Sequence, residues 1–232
     1  MMKIEVWSDY VCPFCYIGKR RLEEALDQFP HADQVEVEFK SFELDPNAPT
    51  TDSRSIYEVL AKKYSMPLEQ AKVTTAQVAA QAREVGLDYD FDNMVVTGTL
   101  DSHRLTHYAK TVGREQALSE ALLQAYFIDA KHIGDHDVLV EIATSVGLDA
   151  SAVRDVLASD VYTDDVRAEE QRASALGVTG VPFFVFDNKY GVSGAQPTSA
   201  FTQVLEKVWT ESNPTIQVLS NGATCTDDSC DM

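Results

Sequence analysis

At 232 residues, with 44% hydrophobic and 24% charged residues, the chain has the composition of an ordinary globular protein and the length to bury a core without covalent staples. Its 37 acids against 19 bases leave a formal charge of −18, which argues against nucleic acid or an anionic membrane as a partner, since both need a basic surface. No apolar run approaches the ~20 residues of a membrane span, and "MMKIEVW" lacks the apolar core of a secretion signal, so the expected location is the cytoplasm.

Residues 3–8, "KIEVWS", alternate as a strand does, and a cysteine pair, Cys12 and Cys15, follows. Leu22, Ala25, Leu26 and Phe29 then mark one face of a helix, with Lys19–Glu23 and Arg20–Glu24 spaced as ion pairs on its outer side and Pro30 as its stop. "VEVEFKSFEL" reads as a second strand whose apolar face changes at Ser41, which predicts a bulge there. From about 52 to 176 the period is helical throughout. "REVGLD", "KTVGRE", "TSVGLD" and "SALGVT" each place a glycine where a helix would end, suited to a left-handed C-terminal cap. "VPFFVFDNKYGVSG" then reads as a hairpin turning at Asn188-Lys189. A last helix from about Ser199 carries Phe201, Val204, Leu205, Val208 and Trp209 on one face. The expected architecture is α/β, with an all-helical insertion (51–176) between sheet-forming parts (1–50 and 177–211) and a tail, 212–232.

Cys12 and Cys15 are spaced C-x2-C at a strand-to-helix junction. Unpaired N–H groups and the macrodipole favour an anion at the start of the helix, and Pro13 fits a first turn that needs no donor. That makes Cys12 the attacking thiolate and Cys15, one turn on, the resolving thiol. Metal ligation and simple packing of two helix-face cysteines are the alternatives. Pro182 stands directly before a buried strand, compatible with a cis bond in a tight turn or with an ordinary trans bond. His103 and His107 are one turn apart, but no third ligand follows at helical spacing, so no metal site is expected.

Strand–"CPFC"–helix, followed late in the chain by "GVP"–strand–hairpin–helix, resembles a thioredoxin fold, and the helical block between resembles the DsbA-like family. "SDYVCPFCYIG", "FELDP", "HRL", "GVTGVPFF" and "VSGAQP" are similar to the FrnE-type branch, related to 2-hydroxychromene-2-carboxylate isomerase and kappa-class glutathione transferase. The resemblance covers residues 3–211. It implies a protein disulfide oxidoreductase or isomerase, with Cys12 as nucleophile, Cys15 as resolving thiol and Pro182 as the cis-proline facing them. It also places Val181, Pro13, Phe14, Asp9 and Tyr10 beside the substrate. Asp9 has a second reading as a cap for its loop. Branch members show Asn-Thr before "AHRL", whereas this chain has Gly98-Thr99 and Ser102. That departure, and the intact dithiol, argue against the glutathione-dependent isomerase or transferase alternative; a zinc-binding or chaperone-like module using the same cysteines without turnover is the other.

The tail carries a second pair, Cys225 and Cys230, spaced C-x4-C. About sixteen flexible residues separate Cys225 from Trp209, a reach of ~22 Å against a domain radius of gyration of ~17 Å. The pair is expected to exchange with Cys12–Cys15 as a second redox couple. Metal scavenging, a four-thiol zinc site uniting both pairs, and incidental cysteines are its rivals. No organic cofactor is required for such chemistry; glutathione or another small thiol is a possible reductant. The expected partners are disulfide-containing or unfolded proteins, and the oligomeric state is left open.

Overall fold

The computed structural model describes residues 1–214 and the backbone of 225–226 and 229–230. Four strands form one sheet in the order β2-β1-β3-β4: β1 (Met2–Ser8), β2 (Val35–Ser41), β3 (Phe183–Phe186) and β4 (Tyr190–Ser193). β2 runs parallel to β1 with Ile4 opposite Val37, while β3 is antiparallel to β1 and to β4. The parallel pair is joined by α1 (Pro13–Asp27), as a parallel connection requires. α9 (Thr198–Ser212) packs beside α1 on the same face.

The central strand β1 is buried on both faces, so its two registers serve different cores. Ile4 and Val6 pack with Leu22, Phe184, Phe186, Phe201 and Leu205 under α1 and α9. Glu5 and Trp7 point the other way, where Trp7 packs with Ala173, Val178 and Val185. Glu5 is tolerated in a central strand because Arg172 pairs with both of its carboxylate oxygens, at 2.7 and 2.6 Å.

Between β2 and β3 lie α2 (Ile56–Lys63), α3 (Leu68–Arg83), α4 (Leu100–Thr111), α5 (Glu115–Phe127), α6 (His136–Ser145), α7 (Ala150–Leu157) and α8 (Thr163–Ala175). Their core centres on Leu105, Leu118, Leu122, Phe127 and Leu139, and Tyr16 and Ile17 of α1 belong to it. The helical period is not continuous. Residues 84–99 are irregular, with Asn93 bonded to Asp90 and a lone bridge pairing Asp52 with Val96. The local Asp90–Asn93 bonds, and the bond from the Thr97 hydroxyl to the distant Thr50 carbonyl, compete with a helix in this stretch.

Gly86, Gly113, Gly147 and Gly177 each end a helix at positive φ. At Gly147 (φ 88°) the amide of Leu148 reaches back to Ala143 and Leu148 is buried, which is the hydrophobic closure that accompanies such a cap. Three other readings change. There is no bulge at Ser41, because β2 ends there and Phe42 and Leu44 belong to the loop that follows. The hairpin turns one residue earlier, with Asp187 and Asn188 in the left-handed region and Asp187 Oδ1 accepting from the Lys3 amide at 2.6 Å. The face of α1 carrying Lys19 and Arg20 is not free: both bond Glu120 of α5, and Lys19 is buried.

Candidate active site

Cys12 is the N-cap residue of α1 with extended backbone, Pro13 is the first helical residue, and the Cys15 amide bonds the Cys12 carbonyl at 3.0 Å. Both sulfurs are free thiols and nearly enclosed, at 4% and 3% exposure, whereas Phe14 between them is 38% exposed. Access therefore does not distinguish the two; their surroundings do. Cys12 Sγ faces the carbonyl of Val181 at 3.5 Å, and the Val181–Pro182 peptide is cis. Cys15 Sγ is backed by the chain before the motif, 3.5 Å from the Asp9 amide. Burial first, and hydrogen bonding to Cys12 second, push the Cys15 thiol well above the ordinary thiol value, opposed by hydrogen bonds from the Ser8 side chain and the Asp9 backbone.

Three supports give the pair its place. Gly18, one turn after Cys15, lets α1 lie against the Pro182 loop: a Cβ there would sit 3.1 Å from both Pro182 and Phe184. The Pro182 carbonyl accepts from the Gly194 amide at 2.8 Å, and Arg21 bonds the carbonyl of Ala195 at 2.6 Å, so the "VSGAQP" segment closes that side. Tyr89, from the irregular stretch of the insertion, donates to the Pro13 carbonyl at 2.8 Å and stacks on Phe127. Neither Gly18 nor Tyr89 is visible in the sequence as a site residue. Gly18 lies within the quoted "CPFCYIG", but only the approach of Pro182 explains it.

Of the residues expected beside a substrate, Pro13, Phe14 and Val181 stand at the thiols. Asp9 and Tyr10 are enclosed, at 0% and 5% exposure, and their side chains are turned into the protein. Asp9 Oδ2 accepts from the Leu44 amide at 2.7 Å, the loop-capping alternative, because the strand has just ended and its successor loop needs an acceptor. Tyr10 Oη bonds Thr106 at 2.5 Å and Ser119 at 3.2 Å, joining the loop to α4 and α5.

Behind these residues lies a narrow cavity of about 10 Å³, lined by Ser8, Tyr10, Ser41, His103, His107 and Glu169, with Lys40, Lys110 and Glu115 among the others. His103 and His107 are thus a turn apart on α4 but engaged differently. His103 Nε2 faces Asp9 Oδ1 at 3.5 Å, and His107 Nε2 faces Ser41 Oγ at 3.1 Å and Glu169 at 3.3 Å. Arg104 of the same "HRL" run is a structural tie, bonding the carbonyls of Val161, Val156 and Ser159 and the carboxylate of Asp101. Among the described residues no three His, Cys, Asp or Glu side chains converge as a metal set. In the tail, Cys225 and Cys230 are partners across β5 (Cys225–Thr226) and β6 (Ser229–Cys230); their side chains, and so the expected exchange, lie outside the described residues.

A strand-to-helix dithiol opposed by a Val–cis-Pro loop, on a β2-β1-β3-β4 sheet with a helical insertion, is the arrangement of a thioredoxin-fold oxidoreductase. The comparisons agree: residues 3–206 match the model of the DSBA-like thioredoxin domain, and the chain belongs to that family. A solved structure from Streptomyces coelicolor, described as a probable DsbA oxidoreductase, is 46% identical with a TM-score of 0.88, over 100% of this chain and 99% of that one. The uncharacterized protein YwbO of Bacillus subtilis is 30% identical over 87% of this chain and 94% of its own length. At the level of fold alone, the cytosolic disulfide reductase DsbM of Pseudomonas aeruginosa, solved with GSH, is similar at 16% identity and a TM-score of 0.61, over 88% and 98%.

Proposed function

We propose that the protein is a thiol–disulfide oxidoreductase that reduces or rearranges disulfides in protein substrates. The observation that carries this is the pair of free thiols at the start of α1, with Cys12 Sγ 3.5 Å from the Val181 carbonyl. Cys12 attacks a substrate sulfur, a mixed disulfide forms, and Cys15 displaces the substrate thiolate while closing Cys12–Cys15. Phe14, exposed beside the sulfurs, gives an apolar contact for an unfolded or disulfide-containing chain, and Pro13 and Val181 flank it.

The cytoplasm is the proposed compartment, where the thiol poise favours the reductive direction. Glutathione or another small thiol returns the dithiol to its reduced form, and no bound organic cofactor takes part. The tail pair is proposed as a second couple. Cys225 and Cys230 are Cα partners in an antiparallel pair, a separation of ~4.5–5.5 Å that falls within the range a disulfide spans.

Turbidity from insulin reduced by dithiothreitol tests the reading. The wild type accelerates it and Cys12→Ser does not; a lower rate in the Cys225→Ser/Cys230→Ser variant assigns the tail its part. A wild type no faster than background removes the general protein reductase.

A further inference from the structure

Asp9 and His103 form an unusual pair behind Cys15. Both are almost wholly buried, at 0% and 3% exposure. Asp9 Oδ1 and His103 Nε2 face each other at 3.5 Å, and among the described residues neither atom has a hydrogen-bond partner. Leaving such atoms unpaired costs about 1–3 kcal/mol each. Buried polar groups left in this state call for an explanation beyond packing. Here the two orphaned atoms lie on opposite sides of one gap, and a single proton placed between them would satisfy both. The carboxylate would gain a donor and the imidazole a counter-ion.

Their position relative to the thiols is specific. Asp9 is the residue whose amide meets Cys15 Sγ at 3.5 Å, and the side chain of Ser8, the residue before it, opposes the rise that burial imposes on the same thiol. Ser8 and His103 both line the cavity described above, whose volume of about 10 Å³ is near that needed for one water. His107 lines the same cavity, together with charged side chains of three other elements: Lys40 on β2, Glu115 on α5 and Glu169 on α8. Besides Asp9 and Tyr10, whose ring centroid is 4.9 Å from that of His103, the imidazole feels the Glu43 carboxylate, itself paired with Arg167.

We propose that the Asp9–His103 pair is the proton acceptor for Cys15 when that thiol resolves the mixed disulfide. The inference rests on the role proposed above for Cys15. Cys15 enters the step as a thiol, S–H, and burial holds it in that form. As Cys15 Sγ bonds Cys12 Sγ, the Cys12–substrate S–S bond breaks and the substrate sulfur leaves with the electron pair. Cys15 gives up its proton through the Ser8 hydroxyl, across the cavity, to rest between His103 Nε2 and Asp9 Oδ1. The substrate disulfide is the oxidant, the two cysteines are oxidised, and the departing thiolate takes a proton from water. The acceptor then empties to the charged side chains that line the cavity.

The aromatic disulfide DTNB separates the two steps, because attack by Cys12 releases one thionitrobenzoate and resolution by Cys15 releases a second. Both are read at one wavelength on the full-length protein carrying Cys225→Ser/Cys230→Ser. Asp9→Asn, which keeps an oxygen for the Leu44 amide, and His103→Gln should each lower the ratio of second-phase to first-phase rate about 100-fold, the scale of general base catalysis. In both variants the second phase should then rise with pH as a simple response to hydroxide. A ratio and pH profile unaltered in both variants would overturn the proposal, as would equal slowing of both phases. In the wild type the second phase alone should be slower in D2O; equal behaviour of the two phases overturns the proposal without any variant. A wild type releasing no second thionitrobenzoate overturns it too, and locates the failure in the role of Cys15 rather than in the proton acceptor.

Discussion

The hydroxyl of Tyr89 donates to the carbonyl of Pro13 at 2.8 Å, so a residue of the helical insertion holds the first turn of the dithiol helix. The bond is largely buried, and Tyr89 is fixed further by stacking on Phe127 at 4.6 Å between ring centroids. Tyr89→Phe keeps the ring and removes only the donor. The expected loss is about 1 kcal/mol, read as a lower urea midpoint at constant slope. An unchanged midpoint would mean that the insertion contributes nothing to α1 through this contact.

Cys15→Ser and Cys12→Ser should part company when mixed with an unfolded, disulfide-containing protein. Resolution by Cys15 is lost in Cys15→Ser, so a covalent complex through Cys12 accumulates on a non-reducing gel and disappears with dithiothreitol. Cys12→Ser should give no complex, because Cys15 is backed by the Asp9 amide and held as a thiol by burial. A complex of comparable yield from Cys12→Ser would reverse the two assignments.

Arg104 ties α4 to the end of α7 and the connection that follows. It is 4% exposed and bonds three main-chain carbonyls, that of Val156 in the last turn of α7 and those of Ser159 and Val161 in the connection to α8, with Asp101 as its counter-ion at 2.6 Å. Arg104→Met removes the guanidinium while filling part of its volume, and leaves the carbonyls of Val156, Ser159 and Val161 without that donor. We expect a loss of about 3 kcal/mol or more, measured by urea unfolding. A loss near that of an exposed substitution would show that water replaces the guanidinium freely.

What could be read from the sequence follows the range of the interactions concerned. The dithiol at a helix start, the four glycine caps and the β-hairpin depend on a few neighbouring residues, and the structure has each of them. The end of β2 at Ser41 depends on something farther away. Glu169, 128 positions on, accepts from the Ser41 amide at 2.7 Å, so the register change in the apolar pattern marks a departure from the sheet and not a bulge. The surroundings of Asp9 and Tyr10 depend on distance in the same way. The resemblance implies a place for both beside the substrate, while their partners Leu44, Thr106 and Ser119 come from elements that the sequence alone does not place. His103 carried a signal, in "HRL", without its meaning, which needs Asp9 opposite.

The same distant glutamate supplies a pH-dependent clamp between insertion and sheet. Burial alone would raise the Glu169 pKa, but hydrogen bonds from His107 and the Ser41 amide, together with the Lys40 charge, outweigh it and hold the group down at about 2. The geometry agrees: Lys40 Nζ is 3.0 Å from Oε1, and His107 Nε2 is 3.3 Å from Oε2. A folded value below the ordinary carboxylate value means that the unfolded chain binds this proton more readily. The stabilisation is therefore complete above the ordinary value and is lost as pH falls towards 2. Glu43 and Glu115 run the other way, since burial raises both, and their protonation on acidification favours the fold. Wild-type acid unfolding alone would mix these opposing slopes, so the informative quantity is the difference between wild type and Glu169→Gln. That difference should be about 3 kcal/mol at pH 6 and should shrink steadily below pH 5. A difference constant from pH 6 to pH 3 would show that Glu169 acts as a neutral hydrogen-bond acceptor and not through its charge.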